Sequence, residues 1–269
     1  SNYDTIPPGL FSGVVQRLTI LLYDKNEKND SSPSLFTTHY HKWLSDERET
    51  LFALIKYTKM PNIGIPNSIA KIGSNTDNSI LEKMFTNAPT AKLISRIRNT
   101  RNSFWYKRRW SYFLFFVDFM PEIFDELGQK REPSEFKRID VIDEVKYQVL
   151  LALFNSNTFY MYFTIFSDNR NVNIRELAAF PFSMPSNEVS QRLSELAQDL
   201  MENMRINSEM RVCQYKSVGT IRNQYFFQGR CKPIIDEIDR VLAKHYGFTE
   251  EELDFIINYD IKYRMGKDA

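Results

Sequence analysis

Residues Asp143–Phe163 read DEVKYQVLLALFNSNTFYMYF. Val145, Val149, Leu150, Leu153 and Phe154 recur at the spacing of one helix face, and the acidic pair Asp143-Glu144 suits the positive end of a helix dipole. The pattern predicts a helix over 143–163, the strongest of the middle region.

Downstream, a polar loop begins at Asp168, where Asp168 and Arg170 are placed to form a local ion pair. Asn173 with Glu176 makes a capping box for a short helix that Pro181 ends. Leu193, Leu196 and Leu200 mark an amphipathic helix after Ser186. The glutamine-, glycine- and aromatic-rich stretch from Gln214 to Arg230 breaks the periodicity and is expected to be an ordered loop. Pro233 opens a helix with Ile234, Ile238, Val241 and Leu242 inward, Gly247 ends it, and Thr249 with Glu252 caps a last short one.

Upstream, Trp110–Val117 is the best strand candidate of its region, and a helix is expected near 79–85. Pro61, Gly64, Pro66 and Gly73 predict turns and short strands over 60–78. Ser45 or Asp46 caps a helix to about Tyr57, Asp46 pairing with Glu49 as a capping box. Leu18, Ile20 and Leu22 carry a strand signal, and such a strand joins either this chain's own sheet or that of a domain not included. The expected fold is α+β, helices mixed with short strands, with a helical C-terminal section.

A chain of 269 residues with 42% hydrophobic residues is long enough to bury a core of its own. Cys213 and Cys231 lack neighbours at metal-ligand spacing and form no disulfide framework, so a reducing, cytoplasmic setting is expected. The longest oily segment, near Tyr112 to Phe119, is less than half a membrane span, so no membrane partner is expected. The opening Ser1-Asn2 has the look of a cleaved-tag remnant.

Net charge is only +1, but its distribution is uneven. No acidic residue lies between Glu82 and Asp118, while Lys83, Lys92, Arg96, Arg98, Arg101, Lys107, Arg108 and Arg109 do. A solvated basic face is the plain explanation. Interleaved Phe104, Trp105, Tyr106, Trp110 and Tyr112 favour an anionic partner instead, because cations pair with phosphates while rings pack on sugars and bases. His39 and His41 share a strand face, yet no third ligand is near, so no metal site is expected. No phosphate-binding glycine loop, nucleophile elbow or metalloprotease helix is found.

Leu153-Phe-Asn-Ser-Asn-Thr-Phe-Tyr-Met-Tyr-Phe163, then Ser167-Asp-Asn-Arg170, Asn173, Arg175-Glu176 and Phe180-Pro181-Phe182, resemble the TaqI-like target-recognition region of gamma-type N6-adenine DNA methyltransferases of type II and type IIG restriction-modification systems. Phe154 interposed between Leu and Asn, and Asn157 in place of Ser, depart from that pattern. Residues 6–20 resemble the end of the family's catalytic domain, and Lys232–Arg240, His245–Phe248 and Asn258–Arg264 resemble its C-terminal end. The segment from Met60 to Lys130 is individual.

The resemblance implies three parts: 1–30 as a remnant of the catalytic domain, 31–205 as the DNA target-recognition domain, and 206–269 as a helical section. It implies double-stranded DNA as partner, together with a catalytic methyltransferase domain that this chain lacks. The family's S-adenosylmethionine loop and its Asn-Pro-Pro-Tyr or Asn-Pro-Pro-Phe tetrapeptide are not found; Pro7-Pro8 has Ile6 before it and Gly9 after. The chain is therefore expected to bind no cofactor and transfer no methyl group, S-adenosylmethionine belonging to the parent enzyme, with Mg2+ if the parent also carries a nuclease.

On this reading Arg96, Arg98, Arg101, Lys107, Arg108 and Arg109 hold phosphates or read guanine, and Trp105, Tyr106, Asn169, Arg170 and Asn171 are the next candidates for groove contact. Two alternatives stand beside it: a protein-protein interaction domain, and a metal-dependent nuclease segment around Asp140, Asp143, Glu144 and Lys146.

Overall fold

The computed structural model describes residues 1–4, 9–11, 13–14, 16–22, 34–87, 102–110, 112–142, 145–216 and 219–265. In chain order the strands are β1 (Asn2–Tyr3), β2 (Leu18–Thr19), β3 (Phe36–Thr37), β4 (Tyr40–His41) and β5 (Thr58–Lys59), followed by helix α1 (Asn75–Asn87). Next come β6 (Ser103–Lys107), β7 (Phe116–Val117), β8 (Ile123–Phe124) and β9 (Phe136–Asp140). Helices α2 (Tyr147–Asn155), α3 (Asn157–Phe166), α4 (Ile174–Ala178) and α5 (Asn187–Ile206) lead to β10 (Ser208–Tyr215) and β11 (Gly219–Phe226). The chain then runs through α6 (Lys232–Tyr246), α7 (Glu250–Ile257) and α8 (Ile261–Met265). The fold is α+β with a helical section at its C-terminal end.

The stretch expected as one helix is two. Asn155, Ser156 and Asn157 stand in a row, and short polar side chains compete with a helix for its own backbone groups. Ser156 Oγ donates to Leu153 O at 2.6 Å and accepts from Phe159 N at 3.0 Å, closing α2 and capping α3. The two axes meet at 68°. No single helix among the described residues is long and apolar enough to cross a membrane.

That bend turns two apolar segments into the centre of one core. Val149 to Phe154 and Phe159 to Phe166 are buried, and Phe154 and Phe159 meet across the bend with ring centroids 4.8 Å apart. Each large side chain buried here contributes about 1.5–3 kcal/mol. Helix α5, capped by Ser186, packs Leu193, Leu196, Leu200 and Met204 toward α2. Helix α6 packs Ile235, Ile238 and Leu242 against α2, α3 and α5. Gly247 ends it in the left-handed region at φ 74°, and the Thr249–Glu252 capping box opens α7 as expected.

Other expectations shift. The strand of the basic region is β6, before the stretch 110–117, of which only Phe116–Val117 is strand. Around Ser45 the backbone makes a short 3-10 turn, Ser45–Thr50, with Glu47 rather than Glu49 reaching back to Leu44 N at 2.7 Å. Helix α1 starts earlier than expected, because Ser74 Oγ accepts from Asp77 N and Asp77 accepts from Gly73 N. Asn173 precedes α4 without a side-chain cap. The stretch from Gln214 is no loop: β10 and β11 form an eight-residue antiparallel ribbon, Ser208 opposite Phe226 through Tyr215 opposite Gly219.

Among the described residues, four small sheets decorate the helices, in orders β2-β1-β4, β3-β5, β7-β6-β9 and β10-β11-β8. The Leu18 strand thus joins the chain's own sheet, pairing antiparallel with β1, while Leu21 and Leu22 beyond it are exposed. A buried polar cluster ties this N-terminal sheet to the C-terminal helices. Lys42 Nζ lies 2.6 Å from Asp260 Oδ2 and donates to Tyr160 OH at 2.6 Å, and His39 Nε2 stands 3.3 Å from Asp260 Oδ1. Burial would raise the pKa of Asp260, but Lys42 and His39 outweigh it and hold the carboxyl well below the usual range. Burial likewise opposes the Lys42 charge, and Asp260 with Tyr160 reverses that, so its pKa is raised.

Candidate nucleic-acid interface

The acid-free stretch ends in a strand that the sheet turns half outward. In β6, Phe104 and Tyr106 are buried, while Ser103, Trp105 and Lys107 are half-buried on the other side. β9 runs antiparallel beside it with Trp105 opposite Arg138 and Tyr106 opposite Lys137. Past β6 the chain meets the polar loop that follows α3. Arg109 and Asn171 form an antiparallel bridge, and Val172 N donates to Arg108 O at 2.8 Å. Two segments some sixty positions apart in the sequence therefore lie side by side, bringing Arg108, Arg109 and Arg170 onto one exposed ridge.

The loop is shaped from behind. Asp168 Oδ1 accepts from Arg170 N at 2.9 Å and Asn171 N at 3.3 Å, an Asx turn in place of the expected Asp168–Arg170 ion pair. Asn169 adopts φ 56°, a left-handed conformation that asparagine tolerates, and donates through Nδ2 to Thr164 O at 2.9 Å. Lys71 reaches under the turn, Nζ donating to Ile165 O at 2.9 Å and Ser167 O at 2.7 Å. Its burial lowers the amine pKa to about 7, with Asp168 and Glu176 offsetting part of the cost.

Charge on the ridge is only partly neutralised. Lys107 pairs with Glu135 at 3.3 Å, Arg138 with Asp140 at 2.7 Å, and Arg175 with Glu176 at 2.9 Å. Among the described residues, Arg108, Arg109 and Arg170 have no carboxylate partner, and all three are exposed. Guanidinium groups held on a ridge with their forks free suit phosphate and guanine edges.

The expected contact residues separate into groups. Lys107, Arg108, Arg109, Arg170 and half-buried Asn171 are together at this ridge. Arg96, Arg98 and Arg101 lie outside the described residues, as do Pro7-Pro8 and the acidic pair Asp143-Glu144. Trp105 is half-buried against the core, Tyr106 is buried and stacked on Phe116 at 5.8 Å, and Asn169 is fully buried, so the last two shape the ridge from within. Asp140 of the nuclease alternative is occupied by Arg138, and no three His, Cys, Asp or Glu side chains converge to hold a metal among the described residues.

Of the residues that carry the family resemblance, 153–163 and 180–182 are buried, whereas Asp168, Arg170 and Arg175 are exposed and Asn173 is half-buried. Asn155 accepts from Phe116 N at 3.2 Å and donates to Phe116 O at 2.9 Å, acting as a strand partner for β7. Asn157 donates to Asp239 Oδ2 at 2.7 Å and accepts from Arg264 at 2.7 Å. Asp239 accepts from Asn157 N, Thr158 N and Thr158 Oγ1 as well. Lys71 escaped sequence reading because a lone lysine in a turn-rich segment looks like any solvated charge. No family model, curated protein or solved structure matches the chain.

Proposed function

We propose that the protein binds double-stranded DNA along the Arg108–Arg109–Arg170 ridge and reads a base sequence there, as the target-recognition part of an adenine-N6 DNA methyltransferase of a restriction-modification system. The observation that carries this reading is the bridge between Arg109 and Asn171, which gathers three exposed cations lacking carboxylate partners from two distant segments. Phosphate contacts supply affinity and register, and a guanidinium that reaches a guanine edge supplies discrimination of about 1–3 kcal/mol. A partner catalytic domain holds S-adenosylmethionine in this scheme, and the present chain contributes DNA contacts.

Fluorescence anisotropy of a labelled duplex tests it. Wild-type affinity falls steeply with salt, and Arg108→Ala with Arg109→Ala makes the slope of log K against log salt shallower by about 2. Arg192→Ala, on an exposed helix face, leaves it unchanged. Equal losses from both sets, or salt-independent binding, would sink the assignment.

The interaction-domain reading has one observation of its own. Leu21, Leu22, Phe52 and Leu54 are exposed on the N-terminal part, Leu22 at 82%. Duplex binding that ignores salt and sequence would favour that reading.

A further inference from the structure

The ribbon of β10 and β11 is the part of the fold that its own packing does not explain. Not one of its described residues is buried, and Val212 is 69% exposed. Its base and the middle of one edge are anchored: Phe226 packs on Phe115 at 5.0 Å and Phe119 at 5.8 Å, and β8 lies beside β11 as a third strand at Arg222 and Asn223. Beyond that pairing the end of the ribbon, 213–215 against 219–221, is two-stranded, and two-stranded ribbons are marginal in water without a covered face.

The ribbon's chemistry selects a partner. Along 208–226 the charged residues are Arg211, Lys216 and Arg222 against Glu209 alone, interspersed with Gln214, Asn223, Gln224 and Thr220. The register sets Arg211 opposite Asn223 and Arg222 opposite Val212, so the two arginines occupy opposite faces. Each guanidinium carbon lies over a ring: Arg211 over Tyr225 at 4.0 Å, Arg222 over Phe124 at 5.0 Å. A guanidinium keeps its fork of donors for a phosphate while it packs on an aromatic face. Arg211 spends its Nε on Glu209, while Arg222 has no carboxylate partner among the described residues.

We propose that this ribbon is a second DNA-contacting element that enters the major groove tip first, Arg211 and Arg222 facing the phosphates of its two walls; this rests on the duplex-binding reading of the ridge. The major groove is about 12 Å wide and admits a two-stranded ribbon.

The test pairs Arg211→Gln with Arg222→Gln and titrates a short random-sequence duplex at several salt concentrations, with dimethyl sulfate probing of guanine N7 in the major groove. The expected result is a salt slope shallower by about 2 and loss of N7 protection. Arg211→Lys with Arg222→Lys restores the slope, and circular dichroism of each variant confirms that the ribbon persists. Wild-type binding with an unchanged slope and unchanged N7 protection in the glutamine variant overturns the ribbon proposal while leaving the ridge reading intact. A wild-type protein that fails to bind duplex overturns both.

Discussion

The same residue types lead opposite lives in two regions of this molecule. Around the α2–α3 bend, Asn155, Asn157, Asp239 and Arg264 are buried, and each is bonded to another part of the chain. On the ridge and ribbon, Arg108, Arg109, Arg170 and Arg222 face solvent, none with a carboxylate partner among the described residues. The interior cluster saturates its own donors and acceptors because an unmet polar group there costs about 1–3 kcal/mol, whereas surface cations cost little unpaired and keep their bonding capacity for something else. Most of the sequence signature that suggested DNA recognition thus builds the scaffold, and its Arg170 stands among the exposed cations of the ridge.

Variants can break this contrast, beginning with the largest expected effect. Phe154→Ala removes a ring at the meeting of α2, α3 and β7 and should destabilise the protein by about 3–5 kcal/mol in urea unfolding. A loss below about 1 kcal/mol would mean that the bend is not the centre of the core.

Asp260→Asn comes next, at about 3 kcal/mol near neutral pH, because it leaves Lys42 buried without its counter-charge. It also carries a pH signature. The Asp260 carboxyl has a folded-state pKa below its unfolded one, so its contribution is present above about pH 4 and is lost as pH falls toward the folded-state value. Unfolding measured across the acid range should therefore show a flatter limb in the variant, and parallel limbs would contradict the ion pair.

Asn155→Ala follows at about 1–3 kcal/mol, from the unmet Phe116 backbone groups. Its duplex affinity should match wild type once the sample is folded; a selective loss of binding would return the signature to the DNA surface. The smallest stability effect belongs to the ridge: Arg108→Ala with Arg109→Ala should shift unfolding by no more than about 0.5 kcal/mol, since neither side chain is buried.

Lys71 sharpens the boundary between the two regions, since it is an interior group that shapes a surface loop. Its folded-state pKa of about 7 lies below the unfolded value, so the native state binds fewer protons over the interval above 7 and stability rises with pH there. Lys71→Met should abolish that rise in unfolding titrations, and persistence of the slope would assign it to another group.

Much of the helical half was legible from residue order. Ser186, Pro233, Gly247 and the Thr249–Glu252 pair are local signals, and each marks the helix end it should because capping depends on backbone groups within one turn. The α2–α3 break was less legible, since the apolar spacing continues across Asn155-Ser156-Asn157 and the local Ser156 cap is joined by the partners Phe116 and Asp239, distant in sequence. The ribbon was missed for a related reason: neither face is buried, so the alternation that ordinarily reveals a strand is weak.

What residue order determined by itself, then, is the mixed α+β character, the ends of the later helices and the acid-free supply of cations between Glu82 and Asp118. Which cations stand together was decided only by tertiary structure. Arg109 meets Asn171 through strand pairing and loop packing that act between residues far apart in the chain, and no local propensity encodes such a pairing.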